Sequence, residues 1–277
     1  MKTLSSDFIT SNLIGNLGNQ MFQIAHGYSQ SLKHKRQFVV PTNDTGLDAF
    51  RGTIYKDLDF LIHNTHQLEN VARIQGEFHF KPVEPVNDKI TVFHGFYQSE
   101  KYFVENKNEV KKLFSPSEEF KIKCFADYPD LNNYNTVAVN IRRGDYLTQS
   151  HNHPVVTLEY VLKALEYIPN KDHIFVVSDD IQWCKENIKL DNTTFVNYTI
   201  LDALWFLTYC RHFVMSNSTF SWWGAYLGEK EDSITVFPST WFGPGVHQRG
   251  HYETDIFKEN WKLVPTVYEN GMIKLKT

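Results

Sequence analysis

The second half of the chain alternates short apolar runs with helical patterns, and this alternation restricts the fold more than any other feature. Apolar periodicity predicts strands at 137–141, 173–177, 194–196, 212–215 and 234–237. The same periodicity predicts helices between them at 158–167, 181–187, 201–210 and 220–227. Strands that alternate with helices form parallel sheets with right-handed crossovers. We therefore expect an α/β fold with a parallel sheet in this half.

The first half begins with a predicted strand at 7–14, a glycine loop at 15–19 and a helix over 20–33. This order is typical of the first unit of a Rossmann-like lobe. The Gly-x-x-Gly spacing is weaker than a dinucleotide fingerprint and lacks a P-loop lysine, so a tight turn is an equally good interpretation. Asn19 and Gln20 stand at the helix start, where free backbone N–H groups favour a ligand.

Two lobes are expected from the length of 277 residues, because single cores stop growing at roughly 250 to 300 residues. Between the first strand-loop-helix unit and the second half of the chain, the clearest predicted elements are a strand at 92–96 and a helix at 101–114. The stretch 115–135 is rich in Pro, Ser and Asn, which is typical of a junction. We predict an N-terminal Rossmann-like lobe at 1–125 and a C-terminal one at 126–277.

Composition and charge exclude several classes of protein. The chain has 42% hydrophobic and 22% charged residues, as ordinary globular proteins do, and its net charge of -4 argues against a nucleic-acid binder. Cys124, Cys184 and Cys210 form no Cys-x-x-Cys pair, so packed free thiols in a reducing compartment are expected. Neither a secretory signal nor an integral membrane segment is predicted. We expect a cytoplasmic location, with peripheral contact at the inner membrane face left open.

Three of the predicted strands end in polar clusters, at 142–145, 178–180 and 216–219. Because open α/β sheets bind ligands at the carboxyl edge of their strands, these clusters predict one site. A guanidinium fork matches phosphate oxygens, and serine hydroxyls with helix-start N–H groups also bind phosphate. A single carboxylate can accept from both donors of a guanine edge. The pattern therefore favours a nucleotide site.

Each part of this site also has a purely structural interpretation. Arg142 could form a surface ion pair with Asp145, and such pairs stabilise proteins little. The aspartates at 179–180 and the serines at 216–218 are favoured helix caps. The tryptophans at 222–223 are predicted to pack in the core rather than to form a sugar platform.

No metal ion is expected. Asp57 and Asp59 match an Asp-x-Asp pattern, but no predicted strand precedes them, and two arginines could neutralise a departing diphosphate instead. His151 and His153 lie in a predicted loop without a third ligand, so a general-base or exposed role is favoured over metal binding.

The sequence resembles the α-1,2-fucosyltransferases of glycosyltransferase family 11 in three motifs. These motifs are GNLGNQMFQ at 15–23, NIRRGDY at 140–146 and SNSTFSWWGA at 216–225. The third is the most specific, and the resemblance extends over nearly the whole chain. The sequence departs from the family at Asn140, where histidine is usual, and at Asn16, where a second glycine is usual. Asparagine cannot act as a base, so no catalytic role is expected at position 140.

The resemblance implies a GT-B fold, that is, two Rossmann-like lobes with the nucleotide-sugar site in the cleft. The first lobe would form the acceptor side and the second would bind GDP-fucose. The implied reaction is inverting, metal-independent transfer of L-fucose to the 2-hydroxyl of a terminal galactoside. GDP-fucose is then a co-substrate, a galactose-terminated glycan is the other partner, and no cofactor is needed.

The resemblance also implies the residues of the site. Arg142 would grip the β-phosphate, and Asp145 and His153 are the candidates for the catalytic base. The implied donor-binding residues are Gly18, Asn19, Gln20, Asn140, Arg142, Arg143, Asp179, Asp180, Ser216, Asn217, Ser218, Thr219 and Phe220. The alternatives are another GDP-fucose transferase, acting on protein or on a different sugar hydroxyl, and a non-catalytic sugar-binding protein. A sugar-binding protein would fit the 15% aromatic content, but it would not explain Arg142 and Arg143.

Overall fold

The computed structural model describes residues 5–41, 50, 53–60 and 68–276. The chain forms two compact units. Unit 1 consists of Met1–Ser115 with Thr254–Ile256, and unit 2 consists of Pro116–Glu253 with Phe257–Thr277.

Unit 1 contains, in its described part, a three-stranded parallel sheet in the order β1-β5-β4 and a parallel pair β2-β3. Its strands are β1 (Ile9–Ser11), β2 (Val39–Val40), β3 (Asp59–Phe60), β4 (Val71–Gln75) and β5 (Ile90–His94). The helices described over their whole length are α1 (Leu17–His34) and α2 (Lys107–Leu113), with short 3-10 turns at Glu100–Tyr102 and Val104–Asn106.

The first strand, loop and helix form as predicted, although α1 begins at Leu17 rather than at Gln20. The loop turns sharply at Gly15, whose positive φ of 79° suits glycine, and Lys35 caps the end of α1 in the left-handed conformation. Met21, Phe22 and Ala25 are fully buried, which accounts for the helical periodicity of the sequence.

The predicted helix at 101–114 is wrong in its first half. The chain forms two 3-10 turns there, and only Lys107–Leu113 is α-helical. Phe103 leaves the helical region, with φ of −142°, and both it and Tyr102 are buried. Burial of two adjacent aromatic side chains has outweighed local helical propensity at this point.

Unit 2 is built on a parallel sheet of six described strands in the order β12-β11-β10-β6-β8-β9, which confirms the predicted parallel sheet. The strands of unit 2 are β6 (Thr136–Ile141), β7 (Val155–Val156), β8 (His173–Ser178), β9 (Thr193–Phe195), β10 (His212–Met215), β11 (Thr235–Pro238), β12 (Lys262–Val264), β13 (Thr266–Glu269) and β14 (Met272–Leu275). The helices are α3 (Glu118–Asp127), α4 (Leu158–Leu165), α5 (Ile181–Asn187), α6 (Ile200–Leu207), α7 (Thr219–Gly228) and α8 (Pro244–His247).

Strand β6 lies at the centre of this sheet, between β10 and β8. Val137, Val139 and Ile141 point into one core cluster, as the alternation predicts. Ala138 and Asn140 on the opposite face are buried as well, because helices cover both faces of a central parallel strand. The strand is therefore a rigid support for the residues that follow it.

The sequence analysis missed a small sheet in the order β13-β14-β7. Strands β13 and β14 are antiparallel, and Glu269 pairs with Met272 across a two-residue turn. The turn residues Asn270 and Gly271 have φ values of 50° and 80°, the left-handed pair that a type I′ hairpin requires. The Asn-Gly dipeptide between apolar runs was the signal that could have revealed this hairpin.

The three cysteines are free and buried, as predicted. Burial raises the pKa of the Cys124 thiol to about 12 and that of Cys184 to about 11, so both stay protonated and unreactive near neutral pH.

None of the helices that the structure describes is both long enough and apolar enough to cross a membrane.

Candidate active site

The three polar clusters that the sequence singled out lie at one edge of the unit 2 sheet. Strands β10, β6 and β8 are neighbours and parallel, with Met215 opposite Asn140 and Ile141 opposite Ser178. The residues that follow these strands therefore emerge side by side at the carboxyl edge, where ligands bind in open α/β sheets. The prediction of a shared edge is confirmed.

Arg142 lies between two carboxylates at this edge. Its Nη2 is 2.5 Å from Oδ1 of Asp145, and its Nη1 is 2.8 Å from Oδ2 of Asp179. Its backbone N–H donates to Oγ of Ser216, which fixes the start of the loop. The ion pair with Asp145, which is the structural interpretation of Arg142, is thus present, and Asp179 forms a second ion pair with the same guanidinium. Since 27% of the Arg142 side chain remains exposed, a ligand can still reach it.

Arg143 is more buried than Arg142, with 14% of its side chain exposed. Its Nε donates to Oδ2 of Asp180 at 3.0 Å, and its guanidinium lies 3.8 Å from the centroid of the Trp183 ring. Asp180 also accepts the backbone N–H of Trp183 and so caps α5, as the structural alternative predicted. The sequence analysis did not single out Trp183. Its position in the first turn of α5, three residues after the capping aspartate, was the available signal.

Gly144 lets the loop approach β8 closely. A Cβ atom at this position would collide with Oδ2 of Asp179. The other carboxylate oxygen of Asp179 accepts the backbone N–H of Arg143 at 2.8 Å. The glycine is therefore needed for the contact that brings Asp179 against both arginines.

The charges at this edge are nearly balanced. Two guanidinium groups, on Arg142 and Arg143, face three carboxylates, on Asp145, Asp179 and Asp180. A doubly charged anion would meet no net positive charge while all three carboxylates stay in place. An anionic ligand must therefore compete with a carboxylate for the arginines, and Asp145 is the most exposed of the three, at 42%.

The Ser216–Phe220 stretch divides into a buried part and a surface part. Ser216 and Asn217 are fully buried, and Ser218 is nearly so. The amide of Asn217 donates to the carbonyls of Pro154 and Trp241 at 3.0 and 2.9 Å, so this side chain ties loops together. Thr219 and Phe220, in the first turn of α7, are partly exposed. Within this stretch, Thr219 and Phe220 are therefore the residues most accessible to a ligand.

Asn140 is a structural residue in this chain. It is 5% exposed, its Nδ2 donates to the carbonyl of Val177 at 3.0 Å, and its Oδ1 accepts from Oγ of Ser221. The side chain thus joins β6 to β8 and to α7. Its predicted place among the donor-binding residues is best understood as support of the strand that presents Arg142.

His153 and Tyr146 form a stacked pair beside Arg142. Their rings are 5.1 Å apart at 24°, and Oη of Tyr146 donates to the carbonyl of Asn217 at 3.2 Å. Burial raises the pKa of Tyr146 to about 12. Burial also lowers the pKa of His153, against the opposing effect of the Asp145 charge. The imidazole is therefore neutral near neutral pH and able to accept a proton.

In unit 1, the glycine loop is fixed by its own amide side chains. Oδ1 of Asn19 accepts from Nε2 of Gln98 at 2.9 Å, and Nε2 of Gln20 donates to the carbonyl of Gly15 at 3.0 Å. Gln23 bonds to both backbone groups of Ile14, a role that the sequence analysis missed. The loop is a tight turn into α1, and Gly18 lies in the first turn of that helix.

The Asp-x-Asp pattern at 57–59, for which no metal role is expected, lies beside strand β3. Asp59 begins the short strand β3, and its carboxylate accepts from Nε2 of Gln37 at 2.9 Å. No group of three or more His, Cys, Asp or Glu side chains among the described residues is arranged to hold a metal ion.

The chain matches a glycosyltransferase family model and is similar in sequence to known sugar transferases. The model of Glycosyl transferase family 11 matches residues 1–264. The alpha-1,2-colitosyltransferase of Escherichia coli is 26% identical over 272 residues, covering 84% of this chain and 92% of that protein. The human galactoside alpha-(1,2)-fucosyltransferase 1 is 26% identical over 235 residues, covering 77% of this chain and 63% of that protein.

Two solved structures resemble this one in fold. The NodZ alpha-1,6-fucosyltransferase, soaked with GDP-fucose, has a TM-score of 0.52 at 13% identity and covers 80% of this chain and 93% of its own. The apo form of POFUT1 has a TM-score of 0.50 at 13% identity and covers 86% and 99%. This similarity confirms the predicted α/β fold of GT-B type.

Proposed function

This chain belongs to glycosyltransferase family 11, and on that premise we propose that it transfers L-fucose from GDP-fucose to the 2-hydroxyl of a terminal galactoside. The observation that carries the proposal is the position of Arg142, which is partly exposed where the carboxyl ends of β6, β8 and β10 meet. The relatives support the linkage, because the names of two of them specify α-1,2 transfer.

The proposed reaction inverts the anomeric carbon of fucose. The bond between that carbon and the β-phosphate oxygen breaks while the acceptor hydroxyl attacks from the opposite side, and a base takes the hydroxyl proton. Negative charge develops on the departing GDP, and the guanidinium of Arg142 is placed to stabilise it. We propose that Arg142 does this without a metal ion.

The other residues divide between nucleotide recognition and support. Asp179 and Asp180 are 26% and 31% exposed, and each carboxylate oxygen has a second lone pair that can accept from a guanine edge. Thr219 and Phe220 are exposed enough to contact the nucleotide. The buried Asn140, Ser216 and Asn217 hold this edge in place.

We propose His153 as the base in preference to Asp145, because the Asp145 carboxylate is paired with Arg142 and the imidazole is neutral. His153→Gln should lower kcat by about 10²-fold, the usual scale for a general base. Burial lowers the pKa of His153 below 6.5. The wild-type kcat/KM should therefore stay constant from neutral pH down to 6.5 and fall at more acid pH, where the imidazole becomes protonated. A pH–rate profile measures both effects.

His151→Gln is the matched control, since His151 lies in the same loop and is exposed. It should leave kcat and the pH profile unchanged. Equal activity of wild type and His153→Gln across the pH range would contradict the assignment.

Asp145→Asn should tighten the binding of GDP. The substitution removes one carboxylate from Arg142 and lowers the negative charge at the edge. Because Asp145 is 42% exposed, solvent screens the effect, and we expect Kd to fall by about three- to tenfold. Titration calorimetry with GDP measures it. Asp232→Asn, which breaks the ion pair with Arg211, is the control, and a weaker GDP affinity in Asp145→Asn would overturn this view.

A second candidate donor is an activated colitose, which the similarity to the colitosyltransferase favours. The decisive experiment incubates the protein with lactose and either fucosyl or colitosyl donor, with and without a chelator, and determines the linkage of the product. We expect fucosyl transfer to the 2-hydroxyl of galactose, undiminished by the chelator. GDP binding without transfer to any acceptor, transfer to another position, or loss of activity in chelator would each refute the corresponding part of the proposal.

A further inference from the structure

Unit 1 contains a cavity of about 250 Å³ that includes none of the residues assigned to the donor site. One wall is the carboxyl-terminal half of α1, with Ser29, Gln30 and Lys33. The segment 80–84 and the 3-10 turns around Tyr102 form the others. The volume corresponds to about eight water molecules, which suits a single sugar ring.

Part of the lining is aromatic and apolar. The rings of Phe80 and Tyr102 meet edge to face, with centroids 4.9 Å apart, and Val83 and Val104 extend the apolar surface. The hydroxyl of Tyr102 accepts the backbone N–H of Lys81 at 3.1 Å. These rings therefore offer apolar surface to a ligand, as the aromatic side chains of small-molecule sites do.

Gln30 supplies a polar group that lacks a partner. It lines the cavity, it is 8% exposed, and its amide oxygen forms no hydrogen bond with any residue that the structure describes. This oxygen is itself enclosed by protein, so the Gln30 amide must rotate before a ligand hydroxyl in the cavity can pair with it. Because a buried acceptor without a donor is costly, that pairing would be favourable. The Gln30 amide at the cavity wall therefore favours a ligand that can form hydrogen bonds.

The charges that line the cavity cancel. Lys33 and Lys101 carry positive charge, and Glu84 and Glu105 carry negative charge. Lys33 already pairs with Glu84 at 2.7 Å, and Lys101 pairs with Asp255 at 2.8 Å. No net field therefore attracts an ion, and a neutral ligand rich in hydroxyl groups is favoured.

We propose that this cavity is a second carbohydrate site, which binds one neutral sugar ring of a glycan. The choice of a sugar over other neutral polyols rests on the proposed function.

The test is a titration of the full chain with lactose, maltose and cellobiose, followed by NMR of the backbone amides of Ser29, Gln30 and Lys33. We expect at least one of these sugars to shift these signals in a saturable manner. Phe80→Ala and Gln30→Leu should each raise its Kd at least tenfold. Phe96→Ala is the matched control, since Phe96 is a partly exposed phenylalanine of unit 1 that does not line the cavity, and it should leave Kd unchanged.

GDP binding is measured on the same samples and should be equal in all of them. Absence of saturable shifts with all three sugars, or an unchanged Kd in both Phe80→Ala and Gln30→Leu, would overturn the second site. Either result is compatible with a functioning fucosyltransferase. If a sugar shifts the signals of the wild type but the wild type transfers fucose to no acceptor, the proposed function is refuted and the second site is not.

Discussion

Arg142→Ala should reduce kcat/KM for sugar transfer by about 10³-fold, which corresponds to about 4 kcal/mol of transition-state stabilisation. The Arg142 guanidinium is the more exposed of the two positive groups at the meeting point of the three strand ends, and alanine removes it from the charge of the leaving diphosphate. The substitution also leaves Asp145 and Asp179 without their shared partner, which further repels an anion. Steady-state kinetics with GDP-fucose and lactose measure the effect.

Arg142→Ala should remain folded, because Arg142 lies at the surface of the edge and its anchoring hydrogen bond to Ser216 uses the backbone. Arg211→Ala is the matched control. Arg211 also pairs with an aspartate, Asp232, but it precedes β10 and so lies at the amino edge of the sheet. We expect wild-type kinetics from Arg211→Ala. Activity of Arg142→Ala within a few-fold of wild type would remove the basis of the proposed function.

Trp222→Ala should lower the free energy of unfolding of unit 2 by about 3–5 kcal/mol, the usual cost of deleting a large buried side chain. Trp222 is fully buried in α7, stacks on Tyr226 at 4.7 Å, and meets Trp223 and Trp261 edge to face. This burial confirms that Trp222 packs in the core rather than forming a sugar platform. Urea denaturation followed by circular dichroism measures the loss.

Two further variants show whether the loss comes from the cavity. Trp222→Phe keeps an aromatic ring and should cost clearly less than the alanine variant. Ile122→Ala removes a side chain that is 72% exposed and should change the unfolding free energy by less than about 0.5 kcal/mol. A loss below about 1 kcal/mol in Trp222→Ala would mean that α7 is not anchored through this residue.

The sequence predicted the second half of the fold well because local periodicity and tertiary environment agree there. The predicted bounds of α5 and β10 match the structure, and the alternating strand and helix pattern leads directly to the parallel sheet. Prediction failed where a tertiary contact outweighed local preference. The burial of Tyr102 and Phe103 breaks the expected helix, and the short strand β7 forms only because β14 lies beside it.

Within the site, the sequence by itself determined which chemical groups follow each strand and that they share one edge, because strand order and direction follow from the alternation of elements. The tertiary structure alone decided how these groups are paired. Residues far apart in sequence meet there, so Asp179 and Asp145 share Arg142, and Asp180 with Trp183 holds Arg143. The tertiary structure also decided that Ser216 and Asn217 are buried and hold this edge in place, since burial depends on what packs above a residue rather than on its type.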